Sequence, residues 1–172
     1  MAAKHLSRCF RQGILRTPLL TLVALVVLWS VPMAAESDTL DSLRVKIDSI
    51  NAILDQASRD FDFETMSQYY EDDVIVLPNG EPMLRGKQAF LENEKAAEEV
   101  GYKILNIETE LVDLFHCDNF VHEVGTYAVT LKVPGVPFDI TDVGKYLVIW
   151  RIYPDGALKI KLETWNNDHI ER

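Results

Sequence analysis

The chain has 172 residues, 48% of them hydrophobic and 26% charged, with a formal net charge of −10. That length suits one domain around one core, and the acidic balance repels phosphate backbones and anionic lipid, which argues against a nucleic-acid partner. Four of the 17 basic residues and none of the 27 acids lie before residue 36, so the remainder carries 13 basic against 27 acidic side chains, net −14.

The first 35 residues read as a leader. Lys4, Arg8, Arg11 and Arg16 precede an apolar run from Leu19 to Val31, followed by an exit ending in Ala34 and Ala35, with Met33 in place of a small residue three positions before the cut. This is the layout of a secretory signal peptide, with export to the periplasm or the medium as the expected localisation. The uncharged stretch 17–35 also reaches the minimum length of a membrane span, so an uncleaved anchor is the alternative. In both cases the domain, residues 36–172, sits outside the cytoplasm, and a membrane is a partner only if the leader stays on. Only Cys117 follows the leader, so the domain has no internal disulfide.

Leu40, Leu43, Ile47, Ile50, Leu54, Ala57 and Phe61 alternate spacings of three and four, one apolar stripe on a first helix capped by Ser37 or Asp38. A second, short helix follows over "DFETMSQYY" with Asp62 as N-cap, and one of Tyr69 and Tyr70 is expected in the core. "EDD" reads as a solvated helix end. A short strand over 74–77 turns at Pro78-Asn79-Gly80. A third helix runs from about Lys87 to Val100 and stops at Gly101. Beyond it the period falls to two. Strands are expected over 105–111 and beyond, 121–133, 144–153 and 157–165, with a hairpin turn at Asp118-Asn119 and a further turn at "PDG". Helices first and a meander of long antiparallel strands after them indicate an α+β fold.

"HCDNFVHE" gathers His116, Cys117, Asp118, His122 and Glu123 in eight residues. Around a two-residue turn His116 pairs with Val121 and His122 with Phe115, so the histidines are not opposite one another, and the stretch reads as a polar hairpin tip. No Gly-rich phosphate loop, CxxC or Ser/His/Asp order occurs, so neither a metal nor a cofactor is expected.

"YYEDDVIVLPNGEPMLRG", a helix, "GTY" and then "GKYLVIWRIYPDGALKIKLETWNND" together resemble the NTF2-like superfamily, in particular its SnoaL-like and domain-of-unknown-function 4440 members, over Asp48 to Asp168. The resemblance implies a cone in which three N-terminal helices pack in a strongly bent antiparallel sheet, with a pocket at the open end and a homodimer through the sheet's outer face. It also implies that Trp165 lines the pocket, as the last-strand tryptophan does in the ketosteroid isomerases of this superfamily. Their catalytic aspartates and tyrosine fall on Val148, Leu77 and near Leu54, all aliphatic, so isomerase chemistry by that route is not expected.

The candidate pocket is therefore Trp165, Tyr146, Tyr127, Tyr70 and the rim residue Asn166. Glu123 shares a strand face with Gly125 and Tyr127, and Glu163 shares parity with Trp165 and Lys161, which suggests an ion pair between Lys161 and Glu163. The first expectation is a domain that binds a small apolar or aromatic molecule without catalysis. The alternatives are a lyase, isomerase or hydrolase using Glu123 or Glu163 as general base with Tyr146 as donor, and a homodimeric interaction module.

Overall fold

The structure is a computed structural model that describes residues 34–168, with side chains described from residue 40. The leader assigned to 1–35 lies outside the described residues except for Ala34 and Ala35, as does His169 and the rest of the C-terminus. Among the described residues no helix is long and apolar enough to cross a membrane.

Three helices are described: α1 (Ala34–Asp60), α2 (Phe63–Tyr69) and α3 (Lys87–Glu99). The six strands are β1 (Tyr70–Leu77), β2 (Leu84–Arg85), β3 (Lys103–Cys117), β4 (Phe120–Lys132), β5 (Ile140–Ile152) and β6 (Leu158–Asn167). They form one curved, unclosed sheet in the order β2-β1-β6-β5-β4-β3. Helix α1 buries the middle of its stripe, with Ile47, Ile50 and Ala57 in the core. It runs straight through Ser37 and Asp38, the expected caps. Phe61 ends it with φ +53°, where the chain reverses and the Asp62 amide donates to the Ala57 carbonyl. Asp62 then caps α2 by accepting from the Thr65 amide at 3.0 Å.

Helix α2 stops one residue earlier than its sequence suggested, because Tyr70 is already extended and begins β1. Strand β1 runs parallel to β6, so the sheet is mixed, whereas β3 to β6 form the expected antiparallel meander. "EDD" is part of β1. Glu71 pairs with Arg151 at 3.0 Å, Asp72 with Lys87 at 2.7 Å and Asp73 with Lys161 at 2.5 Å. These pairs tie β1 to β5, α3 and β6. Asp72 and Asp73 are largely exposed, so their pairs add little stability and chiefly hold register.

The sheet has four register shifts, one of them in β1 between Tyr70 and Ile75, and the three in the antiparallel meander decide which side chains face inward. Strand β3 carries an extra residue at Leu105 and another at Val112, and both side chains turn to solvent. Bulges of this kind bend a strand and blunt a sheet edge, and β3 is an edge strand. The third shift puts Lys161 out of the β5–β6 ladder, with Trp150 opposite Ile160 and Ile149 opposite Leu162. Ile160 and Glu163 therefore share the inner face, and Lys161 points away to Asp73. The expected Lys161–Glu163 pair is absent for that reason.

Candidate functional site

The inner face of the sheet, α1 and α3 enclose a cavity of about 420 Å³, within the range of small-molecule sites. Each helix presents one face to it. Asn51, Leu54, Asp55 and Ser58 come from α1, and Phe90, Asn93, Glu94 and Ala97 from α3, both sets at i, i+3, i+4 and i+7. Strands contribute the aromatic wall: Tyr70 from β1, Tyr127 from β4, Tyr146 and Trp150 from β5, and Trp165 from β6. Tyr70 stacks on Phe90, with centroids 4.3 Å apart, and this locks the start of β1 to α3.

Two glycines make room for the tyrosines. Gly125 lies opposite Tyr146 and Gly144 opposite Tyr127 across the β4–β5 ladder. A Cβ on Gly125 would sit 2.2 Å from the Tyr146 ring, and one on Gly144 would sit 2.2 Å from the Asn166 carbonyl oxygen and 2.7 Å from the Tyr127 ring. Each ring thus lies flat across a bare stretch of the neighbouring strand.

Below the cavity wall Glu123 is fully buried, with 0% exposure. Its Oε1 accepts from Asn51 Nδ2 at 2.6 Å and from the Tyr146 hydroxyl at 2.7 Å, and its Oε2 accepts from Trp150 Nε1 at 2.6 Å. Burial pushes this carboxyl above its ordinary range, and the three donors oppose the shift. Burial also raises the Tyr146 phenol, with the Glu123 charge adding to it, so the hydroxyl keeps its proton. Glu123 is not among the residues that line the cavity. Tyr146, Trp150 and Asn51 stand between it and the space.

The cavity has its own carboxyls. Glu163 Oε2 accepts from the Tyr70 hydroxyl at 2.7 Å, and burial raises Glu163 to about 7, with the nearby Glu123 charge pushing the same way. Glu94 is also raised to about 7, first by burial and then by repulsion from Glu163 and Glu81. Among the described residues Glu94 makes no hydrogen bond or ion pair. Asp55 accepts from the Thr109 hydroxyl at 3.0 Å, and burial lifts it above its usual value despite that bond and the Arg59 charge.

The structure thus brings Tyr70, Tyr127, Tyr146, Trp165 and Glu163 together around one space. Asn166 is exposed and outside it, because it pairs with Lys145 on the outer face. Arg85 is exposed on β2 and is not a lining residue. His116 sits opposite the inward Val121 and His122 opposite the exposed Phe115, so the two histidines face opposite sides of the sheet. Asn51, Asp55 and Glu94 were missed. Their signal was available: each lies one helical face from apolar residues, which is unusual for a polar side chain on a packing helix.

No family model matches the chain, and no curated protein does. Solved structures do. A ketosteroid isomerase-like protein from Erwinia carotovora is 14% identical with a TM-score of 0.63, covering 72% of this chain and 95% of its own. An NTF2-like protein from Cytophaga hutchinsonii is 13% identical with a TM-score of 0.60, covering 72% of this chain and 97% of its own. A Catenulispora acidiphila protein in complex with S-DNPA is 14% identical with a TM-score of 0.64, covering 74% and 95%. At these identities the likeness is one of fold.

Proposed function

We propose, for a chain with the NTF2-like fold, that the cavity between α1, α3 and the inner face of the sheet binds a small organic molecule. The observation that carries this reading is the cavity's construction: about 420 Å³ walled by Tyr70, Tyr127, Tyr146 and Trp165, with Glu163 among them. Such a space has the size of small-molecule sites and their combination of an apolar, aromatic wall with convergent polar groups, here including Asp55, Glu94 and Glu163. The S-DNPA complex of the Catenulispora protein shows that a chain of this fold holds a small ligand, which supports the reading. A thermal-shift screen of small aromatic and aliphatic compounds tests it. A binder is expected to raise the unfolding temperature by mass action, and Trp165→Ala is expected to abolish the shift. A broad screen with no stabilising compound would count against binding.

A second reading adds proton transfer, with Glu163 as general base. Tyr70 occupies only Oε2, which leaves Oε1 for the cavity, and a carboxyl held near 7 is matched to acid–base work at neutral pH. Glu123 cannot play that part directly, because it lies behind Tyr146 and Trp150; its role in this reading is to position the Tyr146 hydroxyl. If the screen returns a compound that is also converted, Glu163→Gln should stop conversion and preserve binding. Conversion that survives this substitution would reject the second reading.

A further inference from the structure

Given that the cavity binds a small molecule, on which this inference rests, we infer that the molecule is an organic cation: an ammonium group carried on an apolar or aromatic body. The lining sets the sign. Asp55, Glu81, Glu94 and Glu163 all border the space, and no Lys, Arg or His is among the described residues that line it. The hydrogen bonding sets the need. Glu94 has no partner among the described residues, and Glu163 has one, on a single oxygen. A carboxylate partly withdrawn from water is compensated by a proton or by a cation, and above neutral pH a ligand ammonium supplies that compensation.

The wall fits the same ligand. Aromatic faces attract ammonium groups through the negative potential above the ring, and here rings come from β1, β4, β5, β6 and α3. Trp165 and Tyr70 flank Glu163 by strand position, since Tyr70 bonds Glu163 and Trp165 follows it by two residues on the same face. A neutral ligand would use the rings and gain nothing from the Glu94 and Glu163 charges. An anion would meet only like charge. The net −14 of residues 36–172 also draws cations toward the protein and repels anions.

The pH dependence has a defined sign. The titratable and charged groups facing Glu94 and Glu163 are each other, Glu81 from the β1–β2 loop, Glu123 from β4 and the Tyr70 phenol. Asp55 stands across the space with Arg59 and Thr109 beside it. Glu94 and Glu163 titrate at about 7, so both are mainly ionised at pH 8 and mainly protonated at pH 5.5. A cation binds the ionised form, so its affinity rises with pH through this window and its binding near pH 7 releases protons.

The test compares three probes of nearly one shape by calorimetry: benzyltrimethylammonium, its neutral carbon isostere neopentylbenzene, and the anion 3-phenylpropionate. At pH 8 the cation is expected to bind at least about tenfold more tightly than the isostere, with the anion weakest. At pH 5.5 the cation-to-neutral ratio should fall at least about threefold, and Glu94→Gln should lower it similarly at pH 8. The inference is overturned, with the binding reading intact, if neopentylbenzene or the anion binds as tightly as the cation. It is overturned too if the ratio ignores both pH and Glu94→Gln. If no probe binds at millimolar concentration, the binding reading and the inference fall together.

Discussion

Replacing Glu123 by alanine is expected to lower the free energy of unfolding by about 4 kcal/mol at pH 7. The carboxylate accepts three hydrogen bonds, from Asn51, Tyr146 and Trp150. Removing it leaves those donors without a partner and opens a void beneath them. Asn51 and Tyr146 border the cavity and can turn toward solvent there. Trp150 is fully buried and cannot. An orphaned buried donor costs about 1–3 kcal/mol, and truncating a packed side chain adds a comparable amount. Glu123→Gln should cost only about 1 kcal/mol. Its amide oxygen can face the indole N–H while its NH2 group faces Tyr146 and Asn51, whose hydroxyl and, after an amide flip, side-chain oxygen then accept. Urea unfolding of both variants checks this, and an alanine variant within 1 kcal/mol of the parent protein would show that the three bonds are not what holds this part of the core.

The second large effect is expected at Gly125. A methyl group there would overlap the Tyr146 ring, whose Cζ, Cε1 and Oη are the three nearest atoms, at 2.2 to 2.4 Å. The ring must leave its position over the strand, and its hydrogen bond to Glu123 goes with it. Overpacking of this kind costs about 1–3 kcal/mol, and the lost hydrogen bond brings the expected loss for Gly125→Ala to about 3 kcal/mol. The cause can be isolated in a double-mutant cycle. In a Tyr146→Ala background the obstruction is gone, and alanine suits a strand better than glycine does. Gly125→Ala should then be neutral or stabilising. An equal penalty in both backgrounds would place the clash elsewhere than at the tyrosine ring.

These two sites also show what local sequence reasoning can and cannot reach. The α1 stripe was legible because a helix buries every third or fourth residue, and Ile47, Ile50 and Ala57 are indeed buried. The four long strands were legible from alternation. Inner and outer faces were not, since alternation names two faces without saying which is inside. Glu123 shows this: its parity with Gly125 and Tyr127 was visible, but only the fold reveals that it lies behind the pocket wall.

Register beyond a bulge was out of reach for the same reason. Lys161 and Glu163 are two apart and should share a face, yet the bulge at Lys161 sends it to Asp73 while Glu163 stays inward with Trp165. The β1–β6 parallel pairing joins residues some 90 positions apart, which no local pattern announces. Asn166 follows Trp165 by one residue and so lies on the other face of β6; its polarity suggested a rim, and its register puts it outside. Glu94 sits in the third helix, whose sequence did not single it out. Its spacing of four from the buried Phe90 was the sign that it faces inward.

The cavity holds Glu94 and Glu163 partly withdrawn from water, Glu163 with one hydrogen bond from Tyr70 and Glu94 with none among the described residues, and their charge selects the ligand. The most direct measurement is an NMR titration of glutamate side-chain carboxyl carbons in the ligand-free protein, with Glu94→Gln and Glu163→Gln to assign the signals. Two glutamates are expected to titrate near 7, against an ordinary value of 4.5. Between those values the folded protein holds protons that the unfolded chain has released. The free energy of unfolding should therefore fall as pH rises from about 4.5 to about 7. If every glutamate instead titrates below 5.5, the cavity is open to solvent and its carboxyls neither need a partner nor select a ligand.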